Sequence, residues 1–150
     1  MTQMTPREIV DLAITREEEA AAFYRQVADL QTSERVKQLF LEYAVEEDRH
    51  KQILEELDVS DVEKIEVKKV ADLKVGDHMS EKEPTGKMDY GDALILGMQK
   101  EKKAYRLYMG LAESTDDAGI KNLFLKLAME EAKHKLWFET QYDDYILLEN

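Results

Sequence analysis

Residues 44–51 read AVEEDRHK, and residues 128–135 read AMEEAKHK. Each octet contains a Glu-x-x-His, Glu47 to His50 and Glu131 to His134. Upstream of each stands a solitary Glu with a Tyr seven residues on: Glu17 with Tyr24, and Glu101 with Tyr108. All of these positions recur at an offset of 84, and across residues 13–51 and 97–135 the same alignment gives 13 identities in 39 positions. The chain therefore reads as two copies of one unit, related by a pseudo-two-fold axis.

Each unit reads as a helical hairpin. Thr5-Pro6-Arg7-Glu8 has the form of a helix start, with Thr as cap, Pro at the first helical position and Glu closing a capping box. Asp89 occupies the matching place in the second half. Polar turns at 31–33 and 114–117 split the halves, giving helices over about 5–30, 34–57, 89–113 and 117–145. A crossover, 58–88, carries Gly76, Pro84, Gly86 and His78, while its Ile65, Val67, Val70 and Val75 suggest a packed portion. So long a connection needs a reason. Helices of about 24 residues are roughly 36 Å long, and a connection of that reach lets the third helix start at the far end of the second. The expected fold is all-α: a ferritin-like four-helix bundle of two duplicated hairpins with a long second-to-third crossover.

Four-three spacing gives the inward stripe of each helix. The stripes are Val10, Ala13, Glu17, Ala20, Tyr24; Phe40, Tyr43, Glu47, His50, Leu54; Leu94, Gly97, Glu101, Ala104, Tyr108; and Phe124, Leu127, Glu131, His134, Phe138. Carboxylates thus stand in the middle of all four apolar stripes. An uncompensated buried charge is neutralised or not tolerated, whereas two divalent cations balance four carboxylates. Glu and His three residues apart share a helix face and can reach one ion. The oxygen and nitrogen donors suit iron, with manganese a possible substitute. The expected metal ligands are Glu17, Glu47, His50, Glu101, Glu131 and His134. The small residues around the solitary Glu, Ala13 and Ala20 or Gly97 and Ala104, leave room for ions and a diatomic ligand. Tyr24 and Tyr108 are expected to hydrogen-bond ligating carboxylates. Glu46 and Glu130 repeat too but lie off the stripe, and are read as flanking the site; Trp137 and Phe138 are read as packing the end of the fourth helix.

Composition narrows the rest. With 150 residues a single domain is the economical reading. Cysteine is absent, so these residues can build no thiolate metal site, disulfide or cysteine nucleophile. The net charge is −12 with basic residues interspersed, which argues against a nucleic-acid partner. No long apolar stretch argues for a membrane, and a cytoplasmic location is expected.

The combination of Glu17 to Tyr24, Glu47-x-x-His50, Glu101 to Tyr108 and Glu131-x-x-His134 resembles the ferritin-like di-iron domain of the rubrerythrins, and the likeness covers nearly the whole chain. The resemblance implies two iron ions, with Glu17 and Glu101 as lone ligands, Glu47 and Glu131 bridging or terminal, and His50 and His134 each capping one iron. It implies an enzyme, a non-haem di-iron peroxidase reducing hydrogen peroxide or dioxygen, working as a homodimer. Two features depart from the family: no cysteine-ligated rubredoxin domain accompanies the bundle, and Ala104 stands where the family has a further Glu. The first calls for an external electron-donor protein. Iron oxidation for storage or buffering, manganese catalase-like chemistry and a non-catalytic metal-binding bundle are the alternative readings.

Overall fold

The computed structural model describes residues 4–66 and 89–149, with side chains to 147. Five helices follow in order: α1 (Pro6–Leu30), α2 (Glu34–Glu55), α3 (Val59–Glu63), α4 (Tyr90–Glu113) and α5 (Ala118–Glu149). Their ends are written in the sequence. Thr5 accepts from the Glu8 amide while the Glu8 side chain accepts from the Thr5 amide, so two otherwise unpaired amides are satisfied reciprocally. Ser33 caps α2, Asp89 caps α4, and Asp117 accepts from the Ile120 amide at the start of α5. The short α3 has its own capping box, Asp58 with Asp61. It lies where the sequence reading begins the crossover.

The four long helices pair as two hairpins, and side-chain bonds fix how the hairpins meet. Tyr24 of α1 bonds Glu101 of α4, and Tyr108 of α4 bonds Glu17 of α1. Reciprocal pairing of this kind requires α1 and α4 to run antiparallel. Glu46 with His134 and Glu130 with His50 require the same of α2 and α5. The end of α2 and the start of α4 therefore lie at opposite ends of the bundle, which is ferritin-like rather than simple up-and-down connectivity. Beyond α2, Ile65 is buried and bridges to Thr115 in the α4–α5 turn, with the Glu66 amide donating to the Ser114 carbonyl. Val67, Val70, Val75 and His78 lie outside the described residues.

Two apolar clusters occupy the ends of the bundle. One gathers Ile9, Val10, Leu54, Leu111, Phe124 and their neighbours; the other gathers Phe23, Tyr24, Val27, Phe40, Leu94 and Phe138. Between them lies a buried polar belt. Among the described residues no helix is long and apolar enough to cross a membrane.

Candidate metal centre

The belt contains the six residues singled out by the repeat. Glu17, Glu47, Glu101 and Glu131 are at most 1% exposed, His50 is fully buried and His134 is 6% exposed. Helical periodicity puts them there, since each occupies the stripe that elsewhere carries Val, Leu and Phe. The ligand-type atoms form two overlapping groups, Glu17–Glu47–His50–Glu131 and Glu47–Glu101–Glu131–His134, each within a 4.8 Å spread. Glu47 and Glu131 belong to both groups; Glu17 and Glu101 belong to one each. That is the arrangement of two adjacent cation positions with two shared carboxylates.

The hydrogen bonds around the belt leave a specific set of atoms unpaired. Tyr108 donates to Glu17 Oε1 at 2.8 Å, and Tyr24 donates to Glu101 Oε1. Each tyrosine thus serves the solitary Glu of the other hairpin. Glu17 Oε2, both oxygens of Glu47, Glu101 Oε2, Glu131 Oε1, His50 Nδ1 and His134 Nδ1 are buried without a hydrogen-bonding partner. Orphaned polar atoms buried in this way are rare and costly. Five of these seven lie close together: His50 Nδ1 is 3.2 Å from Glu17 Oε2 and 2.9 Å from Glu131 Oε1, and His134 Nδ1 is 3.2 Å from Glu47 Oε1; His134 Nδ1 is also 3.4 Å from Glu101 Oε1, the oxygen that Tyr24 holds. They are near one another without the alignment of hydrogen bonds, as lone pairs aimed at a common centre are. The donor set fits a pair of divalent cations.

The ring nitrogens on the far side are paired. His50 Nε2 lies 2.8 Å from Glu130 Oε2, and His134 Nε2 bonds Glu46 Oε2. A carboxylate behind the ring fixes the tautomer that presents the other nitrogen to a metal. Here that nitrogen is Nδ1 in both halves.

Electrostatics show the strain of the metal-free belt. Burial, then the charge of Glu47, pushes the Glu17 carboxyl up to about 8 from an ordinary 4.5. Burial, then the charges of Glu101, Glu47 and Glu17, holds Glu131 well above the usual carboxylate range. Burial opposes a charged ring at the histidines, but the surrounding carboxylates outweigh it. His50 rises to about 9 through Glu17 and Glu47, and His134 to about 11 through Glu101 and Glu47. Tyr24 and Tyr108 are raised well above their ordinary range, by burial and then by the carboxylate each contacts, so the phenols stay protonated and donate.

A family model for rubrerythrin matches residues 8–142, nine-tenths of the chain. The chain belongs to the rubrerythrin family. Among solved structures it is similar to a crystal structure from Thermotoga maritima described as a candidate ferritin-like diiron-carboxylate protein, with a TM-score of 0.74 and 18% identity over 97% of this chain and 99% of that one. At that identity the likeness supports the fold. No curated sequence matches.

Within this rubrerythrin-family chain the surroundings of the belt refine the sequence reading. Ala20 and Ala104 line a pocket of about 10 Å³ over Glu17, Glu47, Glu101 and Glu131, with Arg16, Glu19 and Lys100 also on its wall. That is about the room one water needs. Gly97, expected to leave space for ligands, instead takes the Phe138 ring, whose atoms would stand 3.1 Å from an added Cβ. Phe138 packs in the apolar cluster with Tyr24 and Phe40, stacked at 5.6 Å on Tyr24, and α5 continues past it to Glu149. Trp137 and His134 both pack against Tyr43, with ring centroids 5.1 and 4.5 Å away. Glu46 and Glu130 do more than flank the site, since each holds a histidine of the opposite hairpin. Their repetition was the available signal; only the pairing of α2 with α5 reveals the partner.

Proposed function

We propose that this chain is a non-haem di-iron oxidoreductase that reduces hydrogen peroxide, with dioxygen as the competing oxidant. Its electrons come from a donor protein outside these 150 residues, none of which is a cysteine. The observation that carries this reading is the pair of overlapping, buried ligand groups sharing Glu47 and Glu131, together with their seven orphan atoms. Glu17, Glu47, His50 and Glu131 would hold one iron, and Glu47, Glu101, Glu131 and His134 the other. When bound in the ferrous state, the pair supplies the two electrons that, with two protons, convert hydrogen peroxide to two waters.

The remaining work falls to the chain. Tyr24 and Tyr108 hold one oxygen of each solitary Glu, leaving the second free for a cation. Glu46 and Glu130 keep the imidazoles in the tautomer that presents Nδ1. The Ala20 and Ala104 methyls leave an opening sized for a very small molecule, while the aromatic and aliphatic clusters at either end exclude bulk water. An opening of this size excludes an organic substrate.

The test is anaerobic reconstitution with ferrous iron, followed by stoichiometric hydrogen peroxide or air in separate samples, monitored by absorption. Diferric bands should develop faster with peroxide. Slower development with peroxide than with air would reassign the oxidant, and no bands with either would overturn the di-iron reading.

A further inference from the structure

The ligands of the two half-sites are duplicates, but the supports behind their histidines differ. Behind His50 stands Glu130, both of whose oxygens lie within reach of one Arg49 nitrogen, with Nη2 at 2.9 Å from Oε1 and 2.7 Å from Oε2. Behind His134 stands Glu46. The residue matching Arg49 in the repeat is Lys133, and among the described residues no ion pair joins Lys133 to Glu46. The exposures agree: the Glu130 side chain is 22% exposed and that of Glu46 46%. A charge-assisted contact to both oxygens restrains the Glu130 carboxylate.

An exposed glutamate has rotamer freedom that is lost when its histidine must be held still for a metal. At Glu130 the Arg49 contact restrains that freedom without needing a metal. At Glu46 the loss falls on the binding step. Tyr43 does back the His134 ring, at 4.5 Å between centroids, where the matching residue on the other side is Leu127. That contact limits the ring's tilt but does not fix the carboxylate behind it.

We propose that Arg49 is a positioning residue that makes the His50 half-site the tighter of the two metal positions, leaving the His134 half-site as the weaker and more exchangeable one. This rests on the two-metal reading above.

The test uses cobalt(II) as the probe, titrated anaerobically into the full chain and followed by its visible absorption. Single-histidine variants avoid the mutual repulsion of two ions. His134→Ala, which keeps His50, should bind cobalt about tenfold tighter than His50→Ala, in line with the weight of such outer contacts. Adding Arg49→Ala should weaken the His134→Ala protein by about tenfold and leave the His50→Ala protein unchanged. Arg49→Lys, which keeps the charge and a nitrogen able to bridge both oxygens, should restore part of that affinity. Adding Lys133→Ala should change neither. The metal-free unfolding midpoint should barely move with Arg49→Ala, since the pair is exposed. Equal cobalt affinities in the two single-histidine proteins, no response to Arg49→Ala, or affinity in Arg49→Lys no better than in Arg49→Ala would overturn the proposal. Failure of the unsubstituted chain to bind any cobalt would sink the two-metal reading instead.

Discussion

The inner and outer layers of the centre follow different rules. Inside, the halves match residue for residue: solitary Glu, Glu-x-x-His, and a tyrosine reaching across to the other half's Glu. Outside, they diverge, with Arg49 against Lys133 and Leu127 and Ile53 against Tyr43 and Trp137. Geometry explains the contrast. On the proposed two-cation reading, an inner residue must meet ligand distances set by the metal, and its partners in the other half impose the same demand through the pseudo-two-fold axis. An outer residue need only leave the helix packing intact.

The largest break in the inner symmetry should come from the shared carboxylates. Glu47→Gln and Glu131→Gln each remove a ligand from both groups, so bound iron should fall from two per chain to below one in either variant. In the metal-free chain Glu131→Gln should cost little stability, since burial already holds that carboxyl well above the usual carboxylate range, whereas Glu47→Gln should destabilise, since Glu47 is a counter-charge to both histidines. Iron content by elemental analysis, alongside thermal unfolding, checks both halves of that statement. Next are the unshared histidines. His50→Ala and His134→Ala should each lose about one metal, and retention of two in both would show that the rings are not ligands.

Proton linkage gives a smaller, graded effect. Glu17 holds its proton to about pH 8 when folded but only to about 4.5 when unfolded, and His50 to about 9 instead of 6.5. The folded metal-free chain thus binds more protons than the unfolded chain across that window, so these groups' contribution to stability falls as pH rises from 4.5 to 9. Metal must displace the same protons, so its affinity should rise over the range, by about tenfold per pH unit for each proton displaced. Titrations at pH 6, 7 and 8 test the sign; a flat profile would show that the belt is already ionised. Smaller again are Tyr24→Phe and Tyr108→Phe, each expected to weaken metal binding by about tenfold and, being symmetry mates, by the same factor. Unequal factors would place the asymmetry inside the centre as well as outside it.

Much of this was legible in the sequence because helical period and duplication reinforce each other. Six buried polar residues in apolar stripes, repeated at one offset, require both a bundle and a reason for the charges. The tyrosines were legible as carboxylate donors, but not that each would cross to the other hairpin. Glu46 and Glu130 were visible as repeats, yet a residue off the stripe acquires its partner only from the register of α2 against α5. Gly97 illustrates a different gap. A small residue in a stripe signals space without saying whether a ligand or, as here, the Phe138 ring fills it.

The central claim is that the buried belt is a two-cation centre, and the direct measurement is the iron retained per chain after anaerobic loading of metal-free protein and removal of unbound ferrous ion. Two irons per chain, with an unfolding midpoint well above that of the metal-free protein, is the predicted result. One iron or none, or two that persist unchanged in Glu47→Gln and Glu131→Gln, would contradict it.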